Sequence, residues 1–165
     1  MKKVITSLSA ILLVVAICFA FVACDNAEVT PGNTDFVITS ENCGVTVKEN
    51  NIVVIKAKQE IFDMLDSNKQ FLANYMELLK DANVLDYVAK EGSYGLFIET
   101  VNGVTANAAS EYWRICTNDA DYSSPAGEWN TPVEIDGITY LSAALGVSSL
   151  PVKVGATYVL KLESY

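Results

Sequence analysis

The chain has 165 residues, with 20 acidic side chains against 11 basic ones, a net charge of −9 and no histidine. That length suits one domain with a real core, and the acidic balance repels phosphate backbones, which argues against a nucleic-acid binder. Without histidine the chain lacks the commonest general base and metal ligand and every Ser-His or Cys-His pair, so it reads as a non-enzyme.

Lys2 and Lys3 precede an uncharged apolar run from Val4 to Ala23. A positive start ahead of an apolar core is the form of a secretory signal. The run is also long enough to span a bilayer, and its end decides between the two readings. Phe21-Val22-Ala23-Cys24 resembles the lipobox of bacterial lipoproteins, with a small residue just before the cysteine. The resemblance implies cleavage of residues 1–23 and diacylation of Cys24, and two acyl chains suffice for stable anchoring. Lys2 and Lys3 leave with the signal while all acidic residues stay, so the charge moves from −9 to −11. Residues 24–35 are polar, contain Pro31-Gly32 and read as a linker. The expected location is the extracytoplasmic face of the cell membrane, held there by the lipid.

Residues 36–165 then read as one domain. Phe36–Thr39 and Gly44–Val47 are short β-rich runs, Asn50-Asn51 is a turn, and Ile52–Ala57 is a strand. Ser67 to Gln70 has capping-box form, which predicts a helix start at Ser67. Phe71, Leu72, Tyr75, Met76, Leu79 and Ala82 follow at helical spacing, carrying the helix to about Asp81. Ile61, Phe62 and Leu65 either extend that helix backwards or form a separate turn. β signals resume at Leu85–Val88 and Leu96–Val101, with a hairpin turn at Asn102-Gly103. Glu111–Thr117 is a strand, Val133–Tyr140 a hairpin turning at Asp136-Gly137, and Pro151–Val154 and Tyr158–Leu162 close the domain. The expected class is α+β, one main helix packed on short, mostly antiparallel sheets and hairpins.

Two cysteines fall in strand-like segments, Cys43 and Cys116. Outside the cytoplasm they either pair as a disulfide or remain two buried thiols. Asn118-Asp119-Ala120-Asp121 alternates side-chain oxygens but lacks the glycine and terminal glutamate of a calcium loop, so it reads as a solvated acidic loop. Tyr94, Tyr112, Trp113, Tyr122, Trp129 and Tyr140 concentrate in the second half. Flat amphipathic rings beside Gly, Asn and Ser suit a contact surface. Trp113 lies in an alternating strand and reads equally as core. Trp129 lies in a Ser/Pro/Gly loop and reads as a surface contact.

Tyr94-Gly95-Leu96-Phe97-Ile98, Val101-Asn102-Gly103-Val104, Tyr112-Trp113, Leu145–Ser149 and Val152–Gly155 together resemble a bacterial domain family. Its members are lipoprotein and surface domains similar to the carboxy-terminal β-domain of the transcobalamin and intrinsic-factor cobalamin carriers. The likeness runs from about Val45 to Tyr165. It implies a transcobalamin-like β-domain fold, and a corrinoid such as cobalamin, or another extracellular small molecule, as ligand. It places ligand contacts at Tyr94, Gly95, Asn102, Tyr112 and Trp113, with no metal or bound cofactor. In the carriers this β-domain closes on cobalamin together with a helical barrel, so a partner is implied as well. The competing expectation is a surface interaction domain that binds protein or polysaccharide without a small molecule.

Overall fold

The computed structural model describes residues 36–127 and 130–164. The signal 1–23, Cys24, the 24–35 linker and Trp129 lie outside the described residues. In chain order the elements are β1 (Val45–Lys48), β2 (Ile52–Lys56), α1 (Gln59–Phe62), α2 (Leu72–Asp81), β3 (Tyr87–Gly92), β4 (Gly95–Val101), β5 (Val104–Thr105), β6 (Glu111–Thr117), β7 (Val133–Ile135), β8 (Ile138–Ser142) and β9 (Thr157–Ser164).

The expected arrangement of one main helix on small sheets is wrong. Strand makes up 42% of the structure and helix 11%, split between two helices, with curled antiparallel sheets. Ile61 and Phe62 belong to the separate short helix α1, not to a backward extension of α2. The start predicted at Ser67 is also wrong: α2 begins at Leu72, behind Phe71, which is extended and makes no side-chain cap. The cause is tertiary. Phe71 bridges to Pro151, and the Val152 amide donates to Gln70 O at 2.9 Å, so the chain is stretched where the capping box would need it coiled. Two of the free first-turn amides of α2 then find main-chain acceptors: Leu72 donates to Leu150 O at 2.8 Å and Ala73 to Val147 O at 2.9 Å. At the other end Asn83 takes a left-handed conformation (φ 55°) as the chain leaves the helix.

Among the described residues nine strands form two sheets. A six-stranded sheet has the order β1-β2-β9-β6-β8-β7 and a three-stranded sheet the order β3-β4-β5; every pairing is antiparallel. Alternation along β2 and β9 buries both faces of the larger sheet. Val53, Ile55, Tyr158 and Leu160 join the main core. That core also holds Leu72, Tyr75, Met76 and Leu79 of α2, and Tyr87, Ile98 and Val101 of the smaller sheet. Val159 points the other way, into a second cluster with Cys116, Val133, Ile135 and Tyr140, flanked by Ile52 and Val54. The β7–β8 hairpin therefore folds back over the second face. Each of these large apolar side chains contributes about 1.5–3 kcal/mol when fully buried.

Two further strand expectations fail. Phe36–Thr39 is irregular chain leading into a turn, and Pro151–Val154 makes only the single bridge to Phe71 before turning. The hairpin turns are where their Gly and Asn partners predicted them. Asn102 (φ 48°) and Gly103 (φ 79°) turn β4 into β5, and Asp136 (φ 51°) and Gly137 (φ 77°) turn β7 into β8.

Candidate functional site

β3 and β4 meet in a tight hairpin. Gly92 pairs with Gly95, which leaves Ser93 and Tyr94 as the tip. Gly95 is at φ 97°, a conformation that strongly favours glycine. A second reason for glycine is space: a Cβ there would lie 2.9 Å from Ser148 Oγ and 3.1 Å from Ser148 Cβ. The Leu96 amide donates to the same Oγ at 2.8 Å. Ser148 sits in the loop whose neighbours Val147 and Leu150 cap α2, so the tip is fastened to the helix start through a few residues of chain.

The fastened tip presents apolar surface to solvent. Tyr94 is 100% exposed, and Phe97 and Val88 are each about half exposed (53% and 49%). Register places Lys90 opposite Phe97, and Val88 opposite Thr100 across a bulge at Val88/Ala89. These residues share the outer face of the smaller sheet, while Ile98 and Val101 turn inward. Thr100 and Thr105 hydroxyls bond at 2.9 Å and finish that face at its edge. Leu145, exposed in the adjoining loop, adds to the apolar surface.

The remaining predicted positions are dispersed. Asn102 is structural on one side: its Oδ1 accepts the Asp86 amide at 3.0 Å. It also lines a concavity of about 500 Å³ between the end of α2 and the β4–β5 turn, with Lys80, Asp81, Asn83 and Asp86. Trp113 is core, 5% exposed and packed in the main cluster; its indole N–H is buried without a hydrogen-bond partner. The expectation that it contacts ligand is corrected, because strand alternation turns it inward. Tyr112 faces the opposite side, half-buried opposite Glu163, and burial, followed by the Glu163 charge, raises its pKa. Trp129 and Cys24 fall outside the described residues. Cys43 and Cys116 are separate, buried, free thiols, one in each apolar cluster. The disulfide alternative is not formed, since the two side chains belong to opposite faces of the larger sheet. Burial pushes the Cys116 thiol pKa up, which keeps it protonated and unreactive.

Two features escaped the sequence reading. Arg114 is buried with Glu163: Nε and Oε2 approach to 2.9 Å, with side-chain exposures of 8% and 19%. The approach is close but not aligned as a hydrogen bond, so Nε and Nη2 remain without hydrogen-bond partners. Lys161 shares the same carboxylate at 2.7 Å. The second feature is Asp119, expected in a solvated acidic loop. It is buried instead, beside a concavity of about 440 Å³ lined by Asn118, Asp119, Asp121 and Lys153.

Among the described residues no helix is long and apolar enough to cross a membrane, and no three His, Cys, Asp or Glu side chains converge as a metal site. Neither described concavity is lined by Tyr94, Gly95, Tyr112 or Trp113. Compared with protein-family models, curated proteins and solved structures, the chain matches none.

Proposed function

We propose that this chain is a lipid-anchored, extracytoplasmic binding module that engages a partner protein through the β3–β4 tip and the outer face beside it. The observation that carries this reading is Tyr94, wholly exposed on a tip that Ser148 and Gly95 hold in one conformation. An exposed aromatic normally costs ordering entropy when it binds; a fastened backbone lowers that cost. Tyr94, Phe97, Val88 and Leu145 supply amphipathic and apolar contact of the kind that anchors protein interfaces, and Lys90 sets a positive charge within the patch. A protruding ring inserts into a partner, whereas a corrinoid held by this domain alone would call for an enclosing hollow at the same residues. The lipobox supports the location, and the acidic surface leaves the lipid as the means of attachment.

The test uses the full chain in its native membrane with a photo-crosslinking residue at position 94 or, as control, at the exposed position 154 on another loop. The expected result is one discrete crosslinked protein from position 94 and none from 154. Titration of the purified chain with cobalamin, cobinamide and haem, followed by tryptophan fluorescence, tests the small-molecule alternative. Saturable quenching by a corrinoid, with no protein adduct at 94, would replace the present reading.

A further inference from the structure

We infer that the partner adds a strand to the open edge of β3, an extended segment that sets an acidic side chain over Lys90 with apolar ones beside it. This rests on the reading of a protein partner at the Tyr94 tip and adds how that partner is held. In the order β3-β4-β5 one side of β3 has no neighbouring strand. The edge runs from Tyr87 to Gly92, 6 residues, and is unbroken. Val88 pairs with Thr100 and Ala89 with Ile98, so the extra residue of the bulge, Glu99, lies on β4. The added strand runs antiparallel, the stronger pairing per residue and the one used throughout this fold.

The hairpin fixes which main-chain groups face that edge. Ser93 and Tyr94 alone join β3 to β4, so Gly92 and Gly95 exchange both their bonds and the next pair, Glu91 and Leu96, exchange none. Glu91 and Ala89 therefore turn their N–H and C=O away from β4. Two bonds agree with this phase. The Leu96 amide, turned away from β3, donates to Ser148 Oγ at 2.8 Å. Tyr87 O, in step with Ala89 and Glu91, accepts Lys80 Nζ at 3.0 Å on the open edge. Among the described residues nothing meets the main chain of Ala89 or Glu91 on that side. Two donors and two acceptors thus stand in a row, the pattern that an extended segment completes.

Side chains select the occupant. Lys90 is exposed and makes no ion pair among the described residues. It shares the outer face with Val88 and with Phe97 opposite. An unpaired ammonium between apolar side chains calls for a carboxylate directly across from it, with apolar residues two positions away on the same face. A second copy of this chain does not supply that. Registers bonded through Ala89 and Glu91 set Lys90 against Val88, Lys90 or Gly92 of the copy, because Glu91 points to the other face. The register that would bring Asp86 of the copy over Lys90 needs Tyr87 O, which Lys80 occupies. The net charge of −9 adds repulsion between copies. The occupant is therefore an acidic, alternating segment of another protein.

The probe is the peptide acetyl-Thr-Val-Thr-Glu-Thr-Val-Thr-amide, added at millimolar concentration to the full-length chain in detergent, with amide hydrogen exchange read residue by residue. Exchange is expected to slow about tenfold at Ala89 and Glu91 and to stay unchanged at Lys90, whose amide is already bonded to β4. N-methylation of the two threonines flanking the glutamate, whose amides face β3, abolishes the effect; N-methylation of the glutamate, whose amide faces away, spares it. Lysine in place of the peptide's glutamate weakens binding about three- to fivefold, and Lys90→Glu restores binding of that lysine peptide. No protection at Ala89 and Glu91, or protection indifferent to which nitrogen is methylated, overturns strand addition. Equal binding of the two peptides to the wild type overturns the acidic occupant. A crosslinked partner at position 94 with Ala89 and Glu91 unprotected leaves the partner reading standing and removes this one. Failure of the partner reading shows separately, as no adduct at position 94 whatever the peptide does.

Discussion

Ser148 occupies the space that any side chain on Gly95 would need, and its Oγ, 2.9 Å from that notional Cβ, is the acceptor for the neighbouring Leu96 amide. One hydroxyl thus enforces a glycine and satisfies the strand that follows it, 52 residues away in sequence. Because the Ser148 loop also caps α2, the exposed Tyr94 tip is coupled to the core and not left to move as a free turn.

Ser148→Ala is expected to lower stability by about 1 kcal/mol, the worth of one partly buried hydrogen bond. Gly95→Ala costs more, about 2–3 kcal/mol, from positive φ and the Ser148 contact together. In a Ser148→Gly background the steric part disappears and the Gly95→Ala penalty shrinks, so the two changes are not additive. Urea midpoints for the four chains measure this. Equal penalties in both backgrounds would show that the contact does not constrain the tip.

At the Arg114–Glu163 pair the two single replacements should differ. Glu163→Gln leaves Arg114 buried without a carboxylate, at about 3–5 kcal/mol. Arg114→Met leaves Glu163 with Lys161 at 2.7 Å, so its cost is smaller. The double change Arg114→Met with Glu163→Leu recovers much of the loss, because an apolar pair carries no desolvation penalty. A cycle by chemical denaturation gives the ordering, and an Arg114→Met loss equal to or greater than that of Glu163→Gln would contradict it.

Alkaline pH should unfold the domain through its buried tyrosines. Burial raises the Tyr75 pKa from 10.0 to about 12, outweighing the opposing hydrogen bond from the Lys58 amide. Burial, then the Glu77 carboxylate, raises Tyr87 further still. Burial also raises Tyr158. Here the unfolded chain loses its phenolic protons first, at about pH 10, while the folded chain keeps them. The unfolded state therefore binds fewer protons, and stability falls as pH rises from about 10 towards 12. Tyr75→Phe should flatten that slope while lowering stability at neutral pH through loss of the Lys58 contact, 2.9 Å in the wild type. Denaturation midpoints across pH 8–12 check both.

Cys24→Ala is expected to abolish incorporation of a metabolically supplied alkyne fatty acid and to block signal removal. Labelling and the mass of the purified chain are the readouts. Continued labelling at the wild-type level would place the lipid elsewhere and remove the basis for the tether.

Local chemistry made much of this protein legible from its residues. Asn102-Gly103 and Asp136-Gly137 are turns because their left-handed backbone needs those residue types, and β2, β6 and β9 show the composition of buried strands. The α2 stripe of Leu72, Tyr75, Met76 and Leu79 was equally plain, since one helical face must be apolar to join a core. Tyr94 stands out in the sequence as an aromatic ring beside a glycine, but that it lies with Ser93 at the tip of the β3–β4 hairpin comes from the pairing of Gly92 with Gly95. What failed were decisions settled at long range. Ser67 has the side chain for a cap, yet the chain at Gln70 and Phe71 pairs with residues near Pro151, and main-chain oxygens from that loop finish the helix instead. Trp113 and Tyr112 are sequence neighbours with opposite fates, because β6 lies between two apolar clusters and alternation gives one residue to each side. Asp119 looked solvated, and packing of the 118–121 loop against β9 and the Lys153 turn buried it. Short-range preference depends on a residue and its neighbours, so the sequence determined the Asn-Gly and Asp-Gly turns, the strands β2, β6 and β9, and the helical face. Which amide meets which carbonyl, and which charge loses its water, depends on segments tens of residues apart, and only the tertiary structure decided that.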